Sequence, residues 1–232
     1  MIFDPLWFLF AAPGMLLGLW AQAKVKSTFA KYSEVRPANG MNGAQAAAAV
    51  LQAANLPALS IEPIEGTLSD HYDPSTKTLR LSQDVGQASS LAALGVAAHE
   101  AGHAIQDAND YAPMRFRQAI VGPVQFASGI WIIPAMGGLL VGGASTPLGS
   151  WLMLAGIALF GIVVLFQLVT LPVEFDASKR ALVALEQQGL LSPAEVPAAR
   201  EVLNAAAWTY VAGFVAALGQ LLYFVMAFMR SR

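Results

Sequence analysis

Gly95-Val96-Ala97-Ala98-His99-Glu100-Ala101-Gly102-His103-Ala104-Ile105-Gln106 is the stretch on which the reading of this chain turns. Ser89 or Ser90 can cap a helix that runs through about Gln106, so the H-E-x-x-H motif sits on a helix. Residues four apart lie about 40° apart around such a helix and about 6 Å along it. His99 and His103 can therefore aim at one ion from consecutive turns, and they are two of the three histidines in the chain. Glu100 then stands beside the ion. A carboxylate there can take a proton from a water that the metal activates and return it to a leaving amine, which is the arrangement for peptide hydrolysis.

A catalytic zinc needs a third protein ligand and an open position. The metzincin continuation would place Gly at position 106 and His at 109, where this chain has Gln106 and Asn109. His71, Glu174 and Asp176 remain as candidates, and Cys is absent from the whole chain. A thiol nucleophile, a Cys-ligated zinc and an iron–sulfur cluster are excluded with it.

Around this helix the composition is that of a membrane protein. Of 232 residues 56% are hydrophobic and 12% charged, about half the usual charged share. A net charge of −2 supplies no global field to hold a nucleic acid. No Asp, Glu, Lys, Arg or His occurs from Pro5 to Ala23, from Gln118 to Val173, or from Val202 to Met229. A bilayer core about 30 Å thick takes about 20 apolar helical residues, so the first and third stretches fit one span each and the middle one fits two. The turn between the middle spans falls at residues 142–149, between Ala119–Val141 and Trp151–Leu171. Gly14-x-x-x-Gly18 and Gly138-x-x-x-Gly142 offer close helix contacts.

The resulting division is residues 1–23 as the first span, 24–117 as a polar part carrying the H-E-x-x-H helix, 118–171 as two spans, 172–206 as a second polar part, and 207–232 as the last span. Ala21-Gln22-Ala23 has the form of a signal cleavage site, but the segment before it carries Asp4 and no positive n-region. Lys24, Lys26, Lys31 and Arg36 follow the first span and place the polar parts in the cytoplasm, against Arg230 and Arg232 at the far end. Two spans separate the polar parts, so both lie on one side of the bilayer. Glu174 follows the third span closely while the His99/His103 helix precedes the second, which gives Glu174 the best reach as third ligand.

In the first polar part, Ala44 to Asn55 reads as a helix. Ile61–Ile64, Leu68–Tyr72 and Thr78–Ser82 read as strands, with Asp73-Pro74-Ser75-Thr76 as turn chemistry. Leu79–Ser82 is the expected sheet edge for pairing an extended polypeptide substrate. In the second part, Pro172 suits the first turn of a new helix and Ser192-Pro193-Ala194-Glu195 has the form of a capping box. Beyond zinc, His71, Tyr72 and Arg180 are candidates for stabilising charge in the transition state.

Asp70-His71-Tyr72-Asp73-Pro74, Leu79-Arg80-Leu81, the stretch Val96 to Gln106, and Pro172-Val173-Glu174-Phe175-Asp176-Ala177-Ser178 together resemble the YugP-type neutral zinc metallopeptidases of bacterial membranes. More distantly the chain is similar to the HtpX and CAAX-protease group of integral-membrane gluzincins. The resemblance implies Glu174 as the third zinc ligand. In those relatives an Asp four residues after the ligand Glu supports a ligand His, where this chain has Ser178, which leaves Asp176 or Asp107 as alternatives for that support. It also implies a fold: an α-helical membrane protein with four transmembrane helices and a minimal gluzincin-like α+β metallopeptidase domain, in the bacterial inner membrane. The expected activity is zinc-dependent cleavage of membrane or membrane-proximal polypeptides, with Glu100 as general base. The alternatives are a membrane scaffold that keeps zinc for structure, which would tolerate Glu100→Gln, and a small transporter, which would carry ionisable groups inside its spans.

Overall fold

The computed structural model describes residues 4–56 and 58–231. Four helical segments are long and apolar enough to cross a membrane: α1 (Pro5–Ser33), α5 with α6 (Ala112–Ile130 and Ile132–Leu140), α7 (Pro147–Gln187) and α8 (Val196–Arg230). The chain divides into two compact units. One takes the described residues up to Trp20, Phe116–Leu171 and the chain from Thr209 onward; the other takes Ala21–Arg115 and Pro172–Trp208.

In the first unit small residues let helices meet. A Cβ added at Gly14 would lie 2.4 Å from the Cα of Ala216, and one at Gly138 would lie 2.6 Å from the backbone nitrogen of Met153. Their partners in the two G-x-x-x-G pairs do not share this role: Gly18 faces open space, and Gly142 has φ +106° just before the short 3-10 turn Gly143–Ser145. The break between α5 and α6 falls at Trp131. Pro134, three residues on, has no N–H to offer the carbonyl of Ile130, and its ring crowds that carbonyl.

Pro172 does not begin a helix, contrary to the sequence expectation; it lies inside α7, which runs unbroken for 41 residues. The physical reason is burial. Val173, Ala177, Ala181 and Leu185, four apart along one face, are all fully buried, and that stripe outweighs the one backbone bond that proline removes.

The second unit is built on the packing of α2 (Gly43–Ala53) against α4 (Leu91–Ala108). Asn42 and Gln45 close a reciprocal capping box at the start of α2, and Ser90 caps α4 by accepting the Ala93 N–H at 3.2 Å. Ser192 and Glu195 bond to each other immediately before α8. Lys24, Lys31 and Tyr32 converge on Glu201, tying the end of α1 to the start of α8.

Three strands complete this unit: β1 (Ser60–Ile64), β2 (His71–Asp73) and β3 (Thr78–Ser82), followed by the single turn α3 (Gln83–Gly86). The spatial order is β1-β3-β2, with β1 parallel and β2 antiparallel to β3. Leu79–Ser82 is thus central, not the edge expected from sequence. Its reading as an edge missed that four of the five β3 residues are buried, which only a strand flanked on both sides and covered by helices achieves. The second strand is also shorter than expected, because Leu68 has φ +55° and cannot extend it. Between β2 and β3 the Asp73 carboxylate accepts from the Ser75 N–H and the Thr76 hydroxyl, the turn that the sequence indicates.

Candidate metal centre

Three donor atoms converge inside the second unit. His99 Nε2 lies 3.2 Å and His103 Nε2 3.4 Å from Oε2 of Glu174, and one ligand atom from each residue falls within a 4.8 Å cluster. The two histidines come from consecutive turns of α4 and the glutamate from α7. Gly102 makes the convergence possible: a Cβ there would stand 2.5 Å from the carbonyl oxygen of Ala177, so the two helices touch backbone to backbone next to His103 and one turn from His99 and Glu174.

Each imidazole is oriented through its other nitrogen. His103 Nδ1 is 2.9 Å from Oε1 of Gln106, whose amide donates at 2.7 Å to the Val173 carbonyl and at 2.9 Å to Asp176. Asp176 also pairs with Arg180, and the Arg180 guanidinium lies over the Tyr111 ring. His99 Nδ1 is 3.1 Å from the Ser178 hydroxyl. Both Nε2 atoms are left for a metal, which is the fit expected of a two-histidine, one-carboxylate zinc site with an open fourth position.

Glu100 is buried beside this group. Its Oε2 accepts the backbone N–H of Tyr72 on β2 at 3.1 Å. Burial pushes its carboxyl above the usual range, against the pull of His99 and His103. Burial works the other way on His103, pressing its pKa down, but Glu174 and Glu100 outweigh it and the net direction is up.

The remaining sequence candidates fall elsewhere. His71 bonds through Nδ1 to the Ser69 carbonyl at 2.9 Å and is not among the converging donors. Tyr72 donates its hydroxyl to Asp107 at 2.7 Å, and burial with that carboxylate raises its pKa. Asp107 is thereby engaged with Tyr72 and Lys77 and does not support a ligand histidine, while Asp176 reaches His103 only through Gln106. Gln106 is the residue that sequence reasoning passed over. Its signal was its position three residues after His103 on one helix face, where side chains meet.

Comparison with known proteins agrees with this chemistry. The chain belongs to the neutral zinc metallopeptidase family: the family model described as "Putative neutral zinc metallopeptidase" matches residues 7–229. The "Putative membrane protease YugP" of Bacillus subtilis (strain 168) is 43% identical over 216 residues, covering 93% of each chain. No solved structure matches. Zinc is the metal this family implies, and His99, His103 and Glu174 form a group that could hold it.

Proposed function

We infer that this protein is an integral-membrane zinc endopeptidase that cleaves membrane or membrane-proximal polypeptides, with His99, His103 and Glu174 as zinc ligands and Glu100 as general base. The observation that carries the reading is the convergence of His99, His103 and Glu174 directly beside a buried carboxylate held at a sheet strand. Zinc, when bound, supplies Lewis-acid polarisation of a carbonyl and lowers the pKa of water toward neutrality. The chain's own residues do the rest. The Tyr72 N–H fixes Oε2 of Glu100, which leaves Oε1 to take the proton from the attacking water and pass it to the leaving amine. Gln106 and Ser178 hold the imidazole rings in the orientation that binding needs.

The substrate edge in this reading is β2. Because the Tyr72 N–H turns away from β3 toward Glu100, the Tyr72 carbonyl turns outward too, and an extended chain paired there lies next to the base. The α4 helix, the small sheet and the ligand-bearing end of α7 together have the parts of a minimal gluzincin. We place the site on the cytoplasmic face of a bacterial cell membrane, on the strength of Lys24, Lys26, Lys31 and Arg36 after the first span. Reporters fused to the two termini should then both read outside the cytoplasm, and opposite readings would mean a miscounted span.

The decisive experiment uses the purified, detergent-solubilised protein. Glu100→Gln should keep about one zinc per chain while casein cleavage falls by ~10²–10⁴-fold. Loss of zinc along with activity would make Glu100 a ligand, and unchanged function in the variant would favour a zinc-holding scaffold.

A further inference from the structure

Beside β1 lies a groove that the reaction does not use. It holds about 1000 Å³ bounded by β1 from Ile61 to Ile64, the loop at residues 65–67, the end of β3 at Leu81 and Ser82, α3 and the start of α2 at Asn42 and Ala44. None of His99, Glu100, His103, Glu174 or Tyr72 lines it.

The register decides what β1 offers this groove. The Tyr72 N–H points to Glu100, so Tyr72 and Leu79 form a non-hydrogen-bonded pair, and the N–H and C=O of Leu79 turn toward β1. Across a parallel ladder those groups bond to Ser60 and Glu62, the neighbours of the residue opposite, which is Ile61. The backbone groups of Ile61 and Pro63 are then the ones turned away from β3, and both residues line the groove. Pro63 has no N–H, so its place on the outward register leaves the ladder intact. The open edge presents two acceptors, the Ile61 and Pro63 carbonyls, and one donor, the Ile61 N–H.

The side chains have the same sign as the carbonyls. Glu62, Glu65 and Asp84 line the groove, and among the described residues no Lys or Arg does. Arg80 comes within 3.7 Å of Glu62, but its closer partner is Asp73 at 2.9 Å. Thr67 touches Asp84 at 3.4 Å. Among the described residues no other strand pairs with this edge.

We propose that the β1 groove docks an extended, Lys- or Arg-bearing segment of the polypeptide substrate, remote from the bond that is cut. The main chain pairs with Ile61 and Pro63, and the cationic side chains meet Glu62, Glu65 and Asp84. This rests on the endopeptidase reading, and the substrate class follows from it: cytoplasmic segments that flank membrane spans are enriched in Lys and Arg. The groove thus selects by charge what the metal centre cleaves with little side-chain selectivity.

The test separates docking from cleavage. Fluorescence anisotropy of a labelled peptide of alternating Lys and Thr is measured on full-length Glu100→Gln protein in detergent, beside the same peptide with Glu for Lys. The Lys peptide should bind and the Glu peptide should not. The added changes Glu62→Gln, Glu65→Gln and Asp84→Asn should weaken binding by at least about tenfold, and added salt should weaken it further. Restored to Glu100, the charge-neutralised protein should cleave an uncharged peptide as the parent does while losing about tenfold in kcat/KM on the Lys peptide. Equal binding of the two peptides, or undiminished binding by the neutralised variant, overturns the proposal whatever is cleaved. Charge-selective binding without cleavage of any peptide sustains the docking site and overturns the endopeptidase reading instead.

Discussion

Two contacts in this protein use the same steric device. At Gly102 and at Gly14 a helix backbone comes so near a neighbour that one methyl group would not fit: its carbon would stand 2.5 Å from the Ala177 carbonyl in one case and 2.4 Å from the Ala216 Cα in the other. What flanks them differs. Around Gly102 stand His99, His103 and Glu174, so the separation of α4 and α7 sets the spacing of three donor atoms. The stretch around Gly14 and Ala216 carries no charge, and the approach there yields packing alone. Close approach is therefore a stability feature where the neighbours are apolar and a chemical one where they are donor atoms that could share a metal.

Variants can break that distinction. The largest effect is expected from Glu174→Ala, which removes a donor outright: zinc affinity in a competition titration should fall by more than the ~10–100-fold associated with residues that merely orient a ligand. Parent-like zinc binding by Glu174→Ala, with loss in Asp176→Ala or His71→Ala, would force the ligand set to be reassigned.

Gly102→Ala comes next, because moving α4 off α7 displaces the histidines from the glutamate. Activity should fall about 10²-fold and zinc binding with it. Gly14→Ala should lower thermal stability by about 1–3 kcal/mol and leave the zinc affinity of the folded protein untouched. A Gly102→Ala protein as active as the parent would dissolve the contrast.

Orienting residues sit below these. Gln106→Leu and Asp176→Ala should each cost ~10–100-fold in zinc affinity, and His71→Ala should cost none, read from the same titration.

The smallest effect concerns the sheet. Hydrogen bonds from Ser75, Arg80 and Thr76 hold the Asp73 carboxyl well below its usual range. A lowered folded pKa means that its stabilisation is complete above the unfolded value of about 3.9 and disappears only as pH falls through the folded one. Between pH 7 and 5 the contribution of Asp73 should be flat. Asp73→Asn should slightly lower Tm at pH 7 and soften the acid limb of a Tm-against-pH series. A wild-type minus variant difference that changes between pH 7 and 5 would refute the assignment.

Much of this protein was legible in its sequence because the signals are local. Charge-free runs mark apolar stretches long enough to cross a bilayer, and a helix places His99 and His103 four residues apart on one face wherever it packs. The cap at Ser90 and the turn at Asp73 act within three residues, so short-range chemistry decides them. Three things depended on partners distant in the chain. The buried stripe from Val173 to Leu185 carried α7 through Pro172, against local preference. The crossing of β1 beside β3 put Leu79–Ser82 at the centre of the sheet and left β1 and β2 as edges, since strand order follows from which faces the helices cover and not from order along the chain. Gln106 gained its place between His103, Val173 and Asp176 only once α4 and α7 were in contact, because a buried amide must find donors and acceptors wherever tertiary packing sets them.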